Sequence, residues 1–362
     1  MNNRFFIDYD NPDAGIGHSM GFINRGIKIA TRNQLQFAYA KEQLRKSSNS
    51  DWQWRLKQGL RKLRGARVHE THNIGDDLNR MLNLAEILPN RSEIEGRIRQ
   101  GELKVLTLPP FEMHIPSNAQ IDDDVYRPVD QFIQSHPEPN IVFKLSNNRF
   151  GDYEYASTRA WFRDAYDSAR KSAPIALYYQ PQALNIAVHI RRGDLLPGRQ
   201  FSDLSTRMLP DRWYIEIVKL IISQTKKPLS IHIFSEGKHG LYQSEKGESF
   251  SWAQYFAHSG HPVIEHIDTP FLETFHHLLN ADLFIGSKSG MTHLAGMLGN
   301  SVKLVPSLWH SYRGAQDLLE VPDTMDDASK TAITQFLAHH THQATKARSR
   351  RVRGVQTPER RY

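Results

Sequence analysis

The stretch NIAVHIRRGD, residues 185–194, runs from an apolar segment directly into two adjacent arginines. Its first part, NIAVHI (185–190), shows little alternation of apolar and polar side chains, which predicts a strand buried on both faces. Similar strands are predicted at 229–235, 262–268, 282–287 and 301–307, with intervening helices at 211–224, 274–281 and 289–299. Strands that alternate with helices in this way predict a doubly wound parallel sheet.

The first half of the chain has the same alternation in a less regular form. It predicts a strand at 5–9, a glycine-containing loop NPDAGIGH at 11–18, a helix at 19–32, and further strands at 34–40, 102–110 and 140–146. The order strand, helix, strand is that of a βαβ unit. We therefore predict an α/β protein of two Rossmann-like domains, 1–180 and 181–342, which meet near YYQPQAL (178–184).

The composition narrows the class of protein. A chain of 362 residues is too long for one ordinary core and long enough for two domains. The absence of cysteine excludes disulfide frameworks, zinc–thiolate sites and thiol catalysis. No apolar run reaches the roughly 18 residues of a membrane span, and the N-terminus MNNRFFIDYDNPD lacks a signal-peptide pattern. These features predict a cytoplasmic protein.

The net charge of +7 is concentrated at the end of the chain. Seven basic residues and one acidic residue lie between Lys346 and Tyr362, so the rest of the chain is close to neutral. Such a composition predicts a disordered basic tail, at 343–362. The tail is a candidate for contact with nucleic acid or with an anionic membrane, the latter giving a peripheral location.

Polar side chains follow the strands of the second domain, at the sheet edge where ligands bind in such folds. HIRRGD (189–194) follows one strand and Glu236 the next. GSKSGMTH (286–293) leads from a strand into a helix whose start carries several hydroxyl groups. Helix N-termini bind phosphate, and an arginine fork can bind a diphosphate through two hydrogen bonds. With no P-loop or protein-kinase motif in the sequence, this pattern predicts a nucleotide-diphosphate site without phosphoryl transfer.

Three stretches in this order resemble motifs of the fucosyltransferase superfamily, whose members use GDP-fucose. HIRRGD matches the family's HxRRxD motif. NADLFIGSKSGMTHLAGML (280–298) resembles its later motif, in which a strand leads into a Ser/Thr-rich turn and a helix. DAGIGHSMGFINRGIKIATRNQLQFAY (13–39) resembles its N-terminal Gly-x-Gly-Asn stretch. The set points to the superfamily and to no single branch.

The resemblance implies a role for each matching residue. Arg191 would hold the β-phosphate and neutralise the charge of the departing GDP. His189 would lie by the sugar or the nucleotide, and Asp194 would fix the arginine or contact the ligand. The other implied ligand contacts are Arg192, Glu236, Asp282, Ser287, Ser289 and Thr292 in the second domain, and Gly15 and Gly17 in the N-terminal loop.

The resemblance also implies a GT-B fold, in which a cleft separates the two Rossmann-like domains. The donor would bind the C-terminal domain and the acceptor the N-terminal one. The implied reaction is the inverting transfer of fucose from GDP-β-L-fucose to a hydroxyl group of a glycan acceptor. No metal ion or other cofactor is expected, because arginine supplies the charge that Mg²⁺ supplies in other transferases.

The sequence departs from the family's pattern at the general base. His18 stands where the commonest N-terminal loop of the family has Asn, and an imidazole can act as a base or orient the acceptor. Asp13, Asp76 and Asp77 are the other candidates. Arg199 stands just after HIRRGD, where the α1,6 branch has an acidic residue.

Structural interpretations exist beside the functional ones. Arg191 and Arg192 could form ion pairs with Asp194 or another carboxylate, and Ser287 and Ser289 could serve only as helix caps. Two alternative functions stay open at this point. One is a GT-B transferase with another nucleotide-sugar donor, and the other is a module that binds a nucleotide or a glycan without turnover.

Overall fold

The computed structural model describes residues 3–8, 16–40, 74–109, 123–145, 151–197, 206–307, 310 and 312–354. The chain divides into two compact units. The N-terminal unit comprises residues 1–175 together with 308–314, and the C-terminal unit comprises 176–307 together with 315–362.

The N-terminal unit is built on a parallel sheet of four strands in the order β2-β1-β4-β3. The strands are β1 (Arg4–Ile7), β2 (Gln36–Phe37), β3 (Lys104–Thr107) and β4 (Ile141–Lys144). The helices are α1 (Ile16–Arg32), α2 (Ile74–Leu82), α3 (Leu84–Ile87), α4 (Arg91–Arg99), α5 (Arg127–Gln134) and α6 (Arg159–Ser172). The predicted βαβ unit is confirmed in β1, α1 and β2.

Helix α1 is buried deeply enough to take two cations out of water. Arg25 makes a bidentate pair with Asp8, at 2.7 and 3.0 Å. Lys28 lies 2.8 Å from Asp152 and 3.0 Å from Glu154. A buried charge is tolerated only when it is paired in this way, so these carboxylates are what allow a charged helix to lie in the interior.

Two glycines let α1 approach its neighbours closely. A Cβ atom at Gly26 would lie 2.4 Å from the ring of Phe37, and one at Gly21 would lie 2.4 Å from the ring of Tyr153. Both distances are far below van der Waals contact. The helix therefore packs against β2 and against the segment around Tyr153 through its own backbone.

The C-terminal unit is built on a parallel sheet of six strands in the order β12-β11-β10-β5-β6-β9. Its strands are β5 (Leu184–Ile190), β6 (Leu229–Ser235), β9 (Val263–Ile267), β10 (Leu283–Ile285), β11 (Val302–Pro306) and β12 (Leu318–Val321), and β7 (Gly237–Lys238) and β8 (Leu241–Tyr242) form a separate hairpin. Its helices are α7 (Asp211–Gln224), α8 (Trp252–Tyr255), α9 (Phe271–Asn280), α10 (Gly290–Leu298) and α11 (Asp327–Gly354).

This strand order creates a topological switch point between β5 and β10. The chain fills one half of the sheet with β5, β6 and β9, then returns to lay β10, β11 and β12 on the other side of β5. All seven residues of β5 are buried, as the continuous apolar pattern predicts. The prediction of an α/β fold with two Rossmann-like parallel sheets is confirmed, and the cleft between the two domains stays a prediction.

The structure differs from the sequence-based domain limits in three places. Residues 308–314 group with the N-terminal unit, although we predicted them in the C-terminal domain. The C-terminal unit begins at Ala176 rather than at residue 181, because Tyr178 and Tyr179 bond to His277 of α9 within that unit. Helix α11 continues to Gly354, so the backbone of residues 343–354 is helical where we predicted a disordered tail. Residues 355–362 lie outside the described part of the chain, and the predicted contacts of the tail stay predictions.

Strand β12 was not predicted, since a segment of four residues with one fully buried side chain lacks the long apolar run of its neighbours. No helix in the described ranges has the length and apolar character needed to cross a membrane.

The close approach of α1 to β2 at Gly26 can be tested by substitution. Gly26→Ala is expected to lower the free energy of unfolding by about 1–3 kcal/mol, because the new methyl group overlaps the Phe37 ring. Gly96→Ala in α4 is the matched control. Its Cβ would meet nothing closer than 3.8 Å, so it is expected to stabilise by about 0.5–1 kcal/mol. Urea denaturation measures both, and a stable Gly26→Ala variant would contradict the close approach.

Candidate nucleotide-diphosphate site

The switch point of the C-terminal unit carries a compact polar cluster. Nδ1 of His189, near the end of β5, lies 2.9 Å from Oγ1 of Thr292 and 3.1 Å from Oγ of Ser287. The backbone N–H of Ser287 donates to Oγ1 of Thr292 at 2.9 Å. All three side chains are buried. The structure therefore brings together three of the predicted site residues from β5, from the turn after β10 and from α10.

The N-terminus of α10 is turned into the same place. Ser289 caps the helix, since its hydroxyl accepts from the backbone N–H of Thr292 at 3.0 Å. A Cβ atom at Gly286 would lie 2.3 Å from the methyl group of Thr292, so the turn between β10 and α10 has room only for glycine. The partial positive charge of a helix N-terminus at a switch point suits an anionic ligand.

His189 is neutral at pH 7. Burial, and secondarily the charge of Arg191, lower the pKa of its imidazole to about 3. A neutral imidazole has one N–H donor and one acceptor nitrogen, and Nδ1 already faces the two hydroxyl groups. His189 thus contributes hydrogen bonding to the site and contributes no charge.

Arg191 supplies the cation next to this cluster. Its side chain is half-buried, and the loop that follows β5 sets its position. Gly193 has a φ of +37°, in the left-handed region that favours glycine. The side chain of Glu236, which follows β6, lies against Gly193, and its carboxylate accepts the backbone N–H of Arg192 at 3.2 Å. Glu236 therefore belongs to the site as a support of the loop.

The side chain of Arg192 is buried inside the C-terminal unit. Its guanidinium is fully buried, pairs with the carboxylate of Asp211 and donates to the backbone carbonyl of Arg191 at 2.9 Å. The prediction that Arg192 binds substrate is therefore not supported by its geometry. The structural alternative, an ion pair with a carboxylate, describes this arginine, and the described partner is Asp211.

Asp282 lies at the opposite end of the sheet from the cluster. It precedes β10, and its carboxylate accepts the backbone N–H of Asn185 at 2.8 Å and its side-chain amide at 3.2 Å. Asn185 stands at the start of β5, about 13 Å along the strand from His189 at about 3.3 Å per residue. The structure therefore does not bring Asp282 together with the cluster, because a residue before a parallel strand lies at its amino end.

Several predicted residues are described only in part. Asp194 belongs to the 3-10 turn Gly193–Leu195, of which the backbone is described. Gly17 and His18 lie in the first turn of α1, and Asp76 and Asp77 in the first turn of α2. For His18 and Asp194 the side chains are not described. Asp13, Gly15 and Arg199 lie outside the described residues, so the predictions for them stay predictions.

Sequence reasoning missed Asp211 and Tyr242. Asp211 is the first residue of α7, and the Tyr242 hydroxyl donates to its carboxylate. The only local signal was an acidic residue at a helix start, which is common because it favours the helix dipole. Within the described ranges, no group of three His, Asp or Glu side chains is arranged to hold a metal ion.

The buried imidazole of His189 makes the protein sensitive to acid. An unfolded chain binds this proton near pH 6.5 and the folded chain only near pH 3, so the stabilisation is complete above pH 6.5 and is lost as the pH falls. The expected slope for this one proton is about 1.4 kcal/mol per pH unit. Burial also lowers the pKa of His232 and His266 to about 4.

Urea denaturation between pH 7 and pH 4.5 measures this slope. His189→Asn, which keeps a polar atom near the hydroxyl groups, is expected to reduce it. His258→Asn is the control, because His258 is exposed to solvent in the 3-10 turn Ala257–Ser259 that follows α8. An unchanged slope in His189→Asn would contradict the neutral, buried state of this histidine.

The placement of Asp282 is also testable. Asp282→Ala removes the partner of two Asn185 donors and is expected to cost about 1–3 kcal/mol of stability. Because the residue lies at the far end of the sheet, nucleotide affinity is expected to stay unchanged in calorimetry. Ser287→Ala is the comparison at the switch point, and a larger loss of affinity in Asp282→Ala than in Ser287→Ala would contradict the placement.

Neither a protein-family model nor a curated protein matches the sequence. Solved structures that are similar in fold include POFUT1 in complex with GDP-fucose, at 11% identity and a TM-score of 0.42 over 85% of this chain and 97% of that one. They also include a mutant of Arabidopsis thaliana FUT1 in complex with GDP, at 11% and 0.39 over 83% and 70%. A third is E. coli ADP-heptose LPS heptosyltransferase II, at 11% and 0.42 over 94% and 99%. These are likenesses in fold, and they name no donor for this chain.

Proposed function

We propose that this chain is an inverting glycosyltransferase whose C-terminal unit binds a nucleotide-diphosphate sugar, with GDP-β-L-fucose as the donor. The acceptor is a hydroxyl group of a glycan. The observation that carries the proposal is the arrangement at the switch point: a half-buried arginine, a neutral histidine, two hydroxyl groups and a helix N-terminus at one edge of the sheet. These groups have the chemistry that a diphosphate requires.

The proposed reaction assigns a separate task to each group. The bond between the sugar carbon C1 and the β-phosphate oxygen breaks, and its electron pair leaves with the diphosphate. Arg191 neutralises the charge that develops on this oxygen. His189, Ser287 and the start of α10 orient the phosphate groups by hydrogen bonding. The acceptor oxygen attacks C1 from the opposite face, which inverts the anomeric centre.

The acceptor proton requires a base, which we assign to the N-terminal unit. His18 is the proposed base, with Asp13, Asp76 and Asp77 as the alternatives carried from the sequence. His18 and the two aspartates of α2 stand in the first turns of their helices.

We further propose that the transfer needs no metal ion. A guanidinium can stabilise a leaving diphosphate by two charged hydrogen bonds, which replaces the Lewis acid of other transferases. We assign this task to Arg191, the arginine in the loop that follows β5.

Calorimetric titration of GDP, GDP-fucose, ADP and UDP into the protein, with and without EDTA, tests the proposal. We expect binding of GDP and GDP-fucose that EDTA does not change. In Arg191→Ala, the affinity is expected to fall by about 10- to 100-fold, the value of a charged hydrogen bond. Arg191→Lys is expected to lose nearly as much, because a point charge cannot replace the fork.

Arg212→Ala is the matched control, since Arg212 is an exposed arginine on α7. Tight binding of ADP or UDP instead of GDP would mean that the donor carries a different nucleotide, and the proposed site would stay the same. Donor binding without release of free sugar or transfer to a glycan array would favour the alternative of a binding module. A strict requirement for Mn²⁺ would contradict the role of Arg191.

A further inference from the structure

A buried ion pair lies directly beneath the loop that carries Arg191. The guanidinium of Arg192 is fully buried, and Nη2 donates to Oδ1 of Asp211 at the start of α7. The hydroxyl of Tyr242 donates to the same carboxylate oxygen. The rings of Tyr242 and Tyr214 lie 5.7 and 6.0 Å from the guanidinium carbon. One cation thus sits between a carboxylate and two aromatic rings, away from water.

The same guanidinium holds the backbone of its neighbour. Nη1 of Arg192 donates to the carbonyl oxygen of Arg191 at 2.9 Å. The N–H of the same peptide unit, that of Arg192, donates to Oε2 of Glu236 at 3.2 Å. Both polar atoms of the peptide between Arg191 and Arg192 are therefore fixed by side chains. Because both its carbonyl oxygen and its N–H are bonded, this peptide plane has a fixed orientation, which restricts the direction in which the Arg191 side chain leaves the backbone.

We propose that Asp211 is a positioning residue for Arg191: through the buried guanidinium of Arg192 it holds the 191–192 peptide unit in the orientation that presents Arg191 to the leaving diphosphate. Asp211 itself touches no ligand in this scheme. The positioning part of the inference stands on the geometry of the C-terminal unit alone, and its consequence for catalysis rests on the proposed function.

The energetics support a positioning role over a purely stabilising one. Apolar side chains of similar volume commonly stabilise a core as well as a buried ion pair does, because desolvation offsets most of the attraction. A buried pair does supply direction, since an arginine fork has fixed geometry. Here Nη2 of the guanidinium bonds to Asp211 and Nη1 bonds to the Arg191 carbonyl. The position of the Asp211 carboxylate therefore constrains the position of the loop.

The charge of Asp211 gives the Asp211–Arg192 ion pair a measurable pH dependence. Burial raises the pKa of this carboxyl to about 6, while Arg192 and the hydrogen bond from Tyr242 lower it and the neighbouring Glu245 raises it. Tyr214, Tyr242 and Glu245 are the other titratable groups in contact with the pair, and the Glu245 carboxylate lies 4.0 Å from the Arg192 guanidinium and accepts the backbone N–H of Asp211 at 3.1 Å. As the pH falls through about 6, the carboxylate is neutralised and the hold on Arg192 weakens.

The first experiment measures positioning without any ligand. Hydrogen–deuterium exchange of the peptide that contains residues 189–195 is expected to speed up in Asp211→Asn at pH 7.5. Glu216→Gln is the matched control, because it changes a carboxylate on the same helix that pairs with Lys330 at 3.5 Å instead of with the loop. Equal exchange in Asp211→Asn and wild type would overturn the proposal, whatever the donor proves to be.

The second experiment is a double-mutant cycle on GDP affinity and on turnover of GDP-fucose. Asp211→Asn is expected to lower kcat about ten-fold or more, since small misplacements of catalytic groups have effects of this size. In an Arg191→Ala background the same substitution is expected to change little, because its effect passes through Arg191. Additive effects would overturn the positioning role. Absence of GDP binding in wild type would overturn the proposed function, and the exchange experiment would still decide the positioning.

Tyr242→Phe is a milder variant for the case in which Asp211→Asn folds poorly. It keeps the ring and removes the hydrogen bond that favours the ionised carboxylate. The acid limb of kcat is therefore expected to move to higher pH in Tyr242→Phe and to be absent in Asp211→Asn. The titration of the donor's own phosphates is common to all variants. An acid limb that stays in place in both variants would contradict control by Asp211.

Discussion

The parallel pairing of β5 with both β6 and β10 is the constraint on which the C-terminal unit depends. β5 has a parallel strand on each side, so its carboxyl end lies beside the carboxyl ends of β6 and β10. His189 thereby meets Ser287 and Thr292, and the loop after β5 meets Glu236 after β6. The site follows from the crossover between the two halves of the sheet, as in other doubly wound folds.

The two adjacent arginines show how one local motif serves two purposes. Arg191 stays near the surface, where it is assigned to a ligand. Arg192 enters the core, where Asp211, Tyr214 and Tyr242 surround it. Buried cations are costly unless paired, and in the N-terminal unit Arg25 and Asp8 obey the same rule. Arg192 makes a further bond, to the backbone carbonyl of Arg191.

Much of the C-terminal unit could be predicted because its elements have strong local patterns. The helix at 211–224 and the strand at 229–235 lie where the periodicity placed them, and the polar turn after β10 was correctly assigned to the carboxyl edge. Asp282 belongs to the same stretch of sequence, but the structure places it at the other edge of the sheet. It precedes β10 and therefore lies at the amino edge, where it bonds to Asn185 at the start of β5.

The sequence by itself determined the class of fold, the main strands and helices of the C-terminal unit, and the residue types available at the ligand edge. Those properties depend on side-chain patterns within a few neighbouring residues. Only the tertiary structure decided that Arg192 is the buried arginine, that Asp211 pairs with it from 19 positions away, and that His189 is neutral. The reason is physical: partner choice and pKa depend on burial and on contacts between distant segments, and these exist only once the sheet has formed.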